Sequence, residues 1–271
     1  SFAGIAFSDK TRYDVRESTT LVVRRTLMKK IVSLLLAFCL LTACSSKPSE
    51  ESTPPIETPS APVVSTPAEK PAETPAEKPN YPIIEAAAFD GSSLAPAQNE
   101  TLRVVYPTDL FTAAEDFTPL TLFLTETMDT EQPVNINIQK TEAFDTALNQ
   151  NFLDHFLDIQ KNVSGAEALT INVAELRELH GEPVIYMENI TQINDEVIDL
   201  LLAEGVLTEE MIAQAGGREV FKEIPPTKSV AIYGVVDGYL TVYTGTYYDD
   251  NHKQTLIDAM TILFANTEFL S

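Results

Sequence analysis

Along the middle of the chain, apolar and polar positions fall into short runs whose spacing changes twice. Leu102 to Tyr106 and Leu120 to Thr125 are brief apolar stretches bounded by Pro or Asp. From Val134 to Gln139, Val134, Ile136 and Ile138 alternate with Asn135, Asn137 and Gln139. A period of two predicts strands in all three places. The spacing then lengthens: Phe144, Leu148, Phe152, Phe156 and Ile159 recur every three or four residues. That predicts a helix from an N-cap at Thr141 to about Gln160, with the aromatic stripe against a core. The stripe could also line an apolar ligand site, but packing of a helix on a sheet accounts for it without one.

Two further strand-like segments follow, Ala168 to Val173 and Pro183 to Asn189, with a turn at His180-Gly181-Glu182-Pro183 between them. Asn194 and Thr208 each stand where an N-cap is expected. In each case the preceding residue can staple to the first turn, Ile193 to Ile198 and Leu207 to Ile212. Gly205 and the pair Gly216-Gly217 supply the stops. Residues 194–217 therefore read as a helical excursion between strands.

The strongest pattern comes last. Ser229 to Val236, then Asp237-Gly238, then Tyr239 to Tyr248 is a hairpin, because Asp-Gly tolerates the positive φ angles of a two-residue type I′ turn. Its register follows directly: Val236 opposite Tyr239, Val235 opposite Leu240, Gly234 opposite Thr241, Tyr233 opposite Val242 and Ile232 opposite Tyr243. One face carries Ile232, Val236, Tyr239 and Tyr243, the other Tyr233, Val235, Leu240 and Val242. Both faces are apolar, so both must be covered. A closing helix from about Asn251 to Phe264, with Leu256, Met260, Leu263 and Phe264 inward, covers one, and the Thr141 helix the other. The predicted fold class is α+β: a single domain, residues 83–271, in which a mainly antiparallel sheet lies between helices as an α/β/α sandwich.

The N-terminal part is of another kind. Met28 is followed by Lys29 and Lys30, an apolar run of 11 residues from Ile31 to Leu41, and then Leu41-Thr42-Ala43-Cys44. A membrane-crossing helix needs about 20 apolar residues, so this run is too short to be a permanent span. A cationic start, a short apolar middle and small residues at the end mark a secretory signal, residues 28–43, cut between Ala43 and Cys44. With leucine three positions before the cysteine and Ser45-Ser46 after it, the box resembles the bacterial lipobox. The resemblance implies that the Cys44 thiol is diacylglycerylated and becomes the new N-terminus, anchored in the bilayer by two or three acyl chains at about 0.8 kcal/mol per buried methylene. The alternative is an ordinary exported protein with a chance cysteine. Residues 1–27, which carry Arg24 and Arg25 but no long apolar period, read as a non-native extension or a long signal n-region, outside the fold.

From Cys44 to Pro82 the composition turns to Ser, Thr, Pro, Glu and Ala. Ten of the 17 prolines fall here, with an eight-residue repeat, TPAEKPAE then TPAEKPNY. Proline removes backbone donors and little apolar surface is left to offset chain entropy, so this stretch is a spacer. In extended polyproline conformation its 38 residues from Ser45 reach on the order of 110 Å. Residues 1–43 hold seven of the 18 Lys and Arg but only three of the 40 Asp and Glu, so without them the net formal charge moves from −22 to about −26. Such a field repels nucleic acid and anionic lipid surfaces. It suits a solvated envelope protein, or one that meets cations or basic partners. Of the two cysteines, Cys39 leaves with the signal, so the domain has neither a disulfide nor thiol chemistry and needs a core that stands alone.

Several segments together resemble the PsbP-like fold shared by DcrB-type bacterial lipoproteins. They are the strand entering Tyr106-Pro107, the Asn135-Ile136-Asn137-Ile138 strand before a long helix, Leu179 to Pro183 leading into a strand, and the Asp237-Gly238 hairpin before the last helix. The resemblance spans most of residues 100–270 and implies a noncatalytic envelope or binding role, with no site residues carried over.

Chemistry-bearing motifs are sparse. No G-x-S-x-G, H-E-x-x-H, S-x-x-K, P-loop, dinucleotide fingerprint or EF-hand loop occurs, and no cofactor is implied. His155 flanks the apolar stripe and is expected to be partly packed, and His180 lies in a turn. His252 follows Asp249-Asp250-Asn251 at a strand-to-helix junction. Asp249, Asp250, Asn251 and His252 could share a cation, or Asp250 or Asn251 could cap the helix while the acids favour its N-terminus. Two function classes follow. The first is a lipid-anchored, extracytoplasmic binding or interaction protein whose partners are the bilayer through Cys44 and an envelope protein or small ligand. The second is an envelope hydrolase built on the abundant carboxylates.

Overall fold

The computed structural model describes residues 80–89, 93–114, 119–162, 166–203, 205 and 207–270. Ten strands and five helices make up this part: β1 (Leu94–Gln98), β2 (Leu102–Pro107), β3 (Phe111–Ala114), β4 (Leu120–Leu124), β5 (Asn135–Ala143), α1 (Gln150–Asn162), β6 (Leu169–Leu179), β7 (Glu182–Thr191), α2 (Asp195–Ala203), α3 (Glu209–Ala215), α4 (Arg218–Lys222), β8 (Thr227–Val236), β9 (Tyr239–Tyr247), α5 (Lys253–Ala265) and β10 (Glu268–Phe269). Seven strands form one sheet in the order β3-β4-β5-β9-β8-β7-β6, and β1-β2-β10 form a small second sheet. Every pairing between these strands is antiparallel. The expected α+β class, antiparallel sheet between helices, is what the structure has.

The hairpin register read from Asp237-Gly238 is the observed one, from Val236 opposite Tyr239 to Ile232 opposite Tyr243, and it continues to Lys228 opposite Tyr247. Asp237 and Gly238 take φ angles of 48° and 78°, the left-handed values that a two-residue hairpin turn requires. His180 and Gly181 repeat the device at 53° and 84°, which turns β6 directly into β7. Strand β6 therefore runs well past the expected end at Val173. Glu175, Arg177 and Glu178 break the apolar pattern there, but β6 is the last strand of the sheet and tolerates half-solvated side chains.

The helix expected from Thr141 begins only at Gln150. Strand β5 continues through Thr141 to Ala143, with a bulge after Lys140. The Thr141 hydroxyl donates to the Leu240 carbonyl at 2.7 Å, so it serves the sheet rather than a helix end. Asn149 is the cap instead, its side-chain oxygen accepting from the Phe152 amide at 3.0 Å. Phe144 and Leu148 precede the helix yet join the same core, with Phe144 edge-on to Phe152 at 5.0 Å between ring centroids. Periodicity located the core residues correctly but extended the helix over a strand end and a loop.

Helix α5 is apolar nearly all round, and a helix of that kind is buried. Leu256, Ile257, Ala259, Met260, Ile262, Leu263 and Phe264 are all covered. The helix contacts β5, β8 and β9 of the large sheet and β2 of the small one, and one continuous core joins all of these. Helix α1 is one-sided, with Leu153 and Phe156 facing Tyr233, Val242 and Met187 on the opposite face of the large sheet. Residues 82–84 run parallel to the edge of β6. The Ile84 amide donates to the Glu178 carbonyl at 2.8 Å, and the Glu178 amide to the Pro82 carbonyl at 2.9 Å.

The excursion between β7 and β8 has its own small core. Asn194 accepts from the Val197 amide at 2.9 Å and Thr208 from the Met211 amide at 3.2 Å, so both expected caps are present. The staple residues Ile193, Ile198, Leu207 and Ile212 meet with Phe221 and Ile224 in a cluster separate from both sheet cores. The excursion does not end at Gly217: α4 adds one more turn before β8.

Candidate functional site

The anchor residues Leu41, Ala43 and Cys44 lie outside the described residues. The other sequence candidates do not converge. Asp249 accepts from the Asn251 amide at 3.0 Å and so caps the short turn at residues 250–252. Asp250 instead pairs with Lys228 at 2.9 Å, and His252 Nε2 lies 3.4 Å from Glu126 Oε1. Each group turns to a different partner, and among the described residues no three His, Cys, Asp or Glu side chains stand where they could hold a metal ion. The cap falls on Asp249, one residue before Asp250 and two before Asn251, the two expected. His155 is exposed rather than partly packed. His180 is more engaged than a turn residue need be, with Nε2 2.9 Å from the Thr261 carbonyl oxygen and its ring stacked along Phe264.

Two polar features are brought together only by the fold. The first is a charged margin on the α5 face, where Glu175 and Arg177 of β6, Tyr186 and Glu188 of β7, and Lys253 at the start of α5 come together. The Tyr186 hydroxyl donates to Glu188 Oε1 at 2.6 Å, and the Lys253 ammonium lies 2.5 Å from the same oxygen. The Arg177 guanidinium sits 3.6 Å above the Tyr186 ring and pairs with Glu175 at 2.7 Å. Burial alone would push the Glu188 carboxyl up, but the bonds from Lys253 and Tyr186, with the nearby Arg177 charge, outweigh it and hold the carboxyl below its ordinary value. Burial, reinforced by Glu188, raises the Tyr186 phenol, and burial with the Glu188 and Asp250 charges pushes Tyr247 up to about 12. A general acid or base works best with a pKa near the operating pH. Here Glu188 is shifted toward its charged form and both tyrosines toward their neutral form.

The second feature lies on the opposite face. Its upper half, under α1, is apolar. Its lower half is a strip of hydroxyls and amides aligned across the strands: Thr121 opposite Asn137, Asn137 opposite Thr244, Asn135 opposite Thr246, Thr246 opposite Ser229, and Ser229 opposite Asn189. All of these side chains are buried. Thr121 donates to the Asn137 oxygen at 2.8 Å, the Asn137 amide donates to Asn135 at 3.1 Å, and Ser229 donates to Asn189. The hydroxyls of Thr244 and Thr246, on the central strand β9, have no hydrogen-bond partner among the described residues, although these residues are only 2% and 0% exposed. A buried hydroxyl left unmet costs about 1–3 kcal/mol.

This strip carries a signal in the sequence, since Asn135-Ile-Asn137 and Thr244-Gly-Thr246 each repeat polar residues at a spacing of two. Extending the predicted hairpin register already sets Ser229 beside Thr246. What the sequence does not supply is the pairing of β5 with β9, which joins residues more than a hundred positions apart.

No family model matches the chain, and no curated protein matches it. Among solved structures it is similar to LpqN of Mycobacterium tuberculosis, described as involved in cell envelope biogenesis, with 12% identity over 66% of this chain and 91% of that one and a TM-score of 0.38. It is also similar to the cyanobacterial PsbP of Synechocystis, at 11% identity over 68% of this chain and 98% of that one, with a TM-score of 0.33. A protein of Bacteroides thetaiotaomicron is similar at 12% identity over 63% of this chain and 45% of that one, with a TM-score of 0.32. Likenesses of this extent transfer no residue role, ligand or activity.

Proposed function

We propose that the chain is a lipid-anchored bacterial envelope protein that carries a noncatalytic binding domain on the extracytoplasmic side of the membrane. The observation that carries this reading is the order Lys29-Lys30, an 11-residue apolar run, and Leu41-Thr42-Ala43-Cys44. It makes Cys44 the attachment point, with a proline-rich spacer between it and the domain. No helix among the described residues is long and apolar enough to cross a membrane. The domain's side of the proposal draws on the charged margin, where Glu188 is tied to Lys253 and Tyr186, and on the buried strip of hydroxyls and amides. The PsbP-like resemblance of residues 100–270 accords with a noncatalytic role.

The test is cell fractionation with metabolic labelling by a fatty acid. Wild type should label and sediment with membranes, while Cys44→Ala should lose the label and either appear in the soluble fraction or accumulate as unprocessed precursor. A Cys44→Ala protein that is processed and still sediments like wild type would overturn the reading.

A further inference from the structure

We infer that residues 82–84 are an autoinhibitory strap, and that β6 beside them is a self-complementary edge through which a second copy of this chain joins when the strap is released. β6 is the last strand of the seven-stranded sheet. In a hairpin with a two-residue turn, the residues flanking the turn exchange both backbone bonds, and the pattern alternates from there. Leu179, Arg177, Glu175 and Val173 therefore bond to β7, whereas Glu178, Leu176 and Ala174 direct their amides and carbonyls outward. The strap meets Glu178 alone, through the Ile84 amide and the Pro82 carbonyl. Ile83 lies opposite Glu178 in parallel sense, so the next rung, to the Leu176 carbonyl, would need a donor from Pro82, which has none. Among the described residues, no backbone group pairs with the outward groups of Leu176 and Ala174.

The occupant and its register follow from symmetry and charge. Two identical edges join about a two-fold axis, with the same residues on each side. A bulge between Ile171 and Val173 ends the regular part of β6, which leaves Val173 to Leu179, with Leu176 at the midpoint. An axis there sets Leu176 opposite its own counterpart and Ala174 opposite Glu178, so the outward amides and carbonyls form a ladder. Glu175 of each copy then faces Arg177 of the other, in the closely spaced positions where opposite charges stabilise a strand pair. These two side chains already pair within one chain at 2.7 Å, and the axis makes the two pairs one network. Moving the axis one residue either way sets Glu175 against Glu175, or Arg177 against Arg177, and is disfavoured by like charge. The strap blocks this ladder because it occupies Glu178. It is held by Tyr81 on the α1 core, by Ile84 buried in the α5 core, and by the Ala87 amide, which donates to the Thr261 hydroxyl at 3.1 Å.

The experiment is sedimentation velocity of the full-length chain at about 50 μM. Wild type should sediment as a monomer. Ile84→Asp places a charge where the strap must be buried, and should associate to a dimer at least tenfold more tightly than wild type. Tyr81→Ala/Ile84→Ala loosens the strap without a buried charge and should do the same, which decides the matter if the aspartate protein does not fold. In the released protein, adding Arg177→Glu sets like charges across the axis and should return the monomer. Exchanging the pair, Glu175→Arg/Arg177→Glu, should restore the dimer. The inference is overturned if a folded released protein stays monomeric, or if wild type with its strap in place is already a dimer. It is also overturned if Arg177→Glu leaves the dimer unchanged, or if the exchanged pair fails to restore it.

Discussion

The two faces of the seven-stranded sheet solve the same problem differently. On the α5 face, apolar side chains from β3 to β7 meet a helix that is itself apolar nearly all round, and charge is kept to the margin around Glu188 and Lys253. On the α1 face, a one-sided helix covers only the apolar half, and the other half buries hydroxyls and amides. The first arrangement maximises the apolar area removed from water. The second gives up part of that gain, at a cost in unmet hydroxyls on Thr244 and Thr246.

The largest expected effects test that asymmetry by truncating one leucine on each covering helix. Leu263 of α5 and Leu153 of α1 are both buried, but Leu263 belongs to the core shared by both sheets, where little can move to fill a void. In urea denaturation, Leu263→Ala should cost about 4–5 kcal/mol and Leu153→Ala about 2–3 kcal/mol, since the one-sided helix can reseat. Equal costs, or the reverse order, would break the comparison. Next comes Gly234, on the α5 face of β8, where an added Cβ would overlap the Phe264 ring. Gly234→Ala should cost about 1–3 kcal/mol through overpacking, and Phe264→Leu in the same chain should return part of it. A penalty unchanged by Phe264→Leu would place the strain elsewhere.

The charged margin predicts a pH dependence of definite sign. Because Glu188 is held below its ordinary value in the folded state, its contribution is fully present above the ordinary glutamate range and is lost as the pH falls through the depressed native value. Between pH 7 and pH 3, wild type should therefore lose about 1–2 kcal/mol more than Glu188→Gln, read from denaturation midpoints at each pH. A glutamine variant with the same acid sensitivity would remove Glu188 from the account. The smallest effect concerns the excursion, which stands apart from both faces. Thr208→Ala should cost about 1 kcal/mol and, by hydrogen exchange, loosen residues 208–216 while leaving α1 and α5 unchanged. Loosening that spread to either helix would show that the excursion is not the separate unit its own core suggests.

Local signals were most legible where few residues decide the outcome. Asp237-Gly238 set the β8–β9 register residue by residue, and Thr208 with Gly216 bounded a helix, because turn and cap geometry depends on neighbours in the chain. Periodicity did less well at Thr141. The same Phe144 to Ile159 spacing suits a helix or a strand end followed by a loop, and a hydrogen bond to Leu240, far along the chain, settled which. His180-Gly181 announces a turn but not a hairpin, because Asp-Gly and Asn-Gly are the dipeptides that mark a two-residue hairpin turn.

By itself the sequence determined the α+β class, the register of the closing hairpin and its two apolar faces. These rest on composition and on local backbone preference, which every window of the chain carries with it. Only the tertiary structure decided that Asn135 and Asn137 are buried rather than solvated, and that Thr244 and Thr246 lie against them. It likewise decided that Glu188 meets Lys253 across a strand and a helix. A period of two says that alternate side chains face opposite ways, but which side is closed depends on what the rest of the chain lays over it.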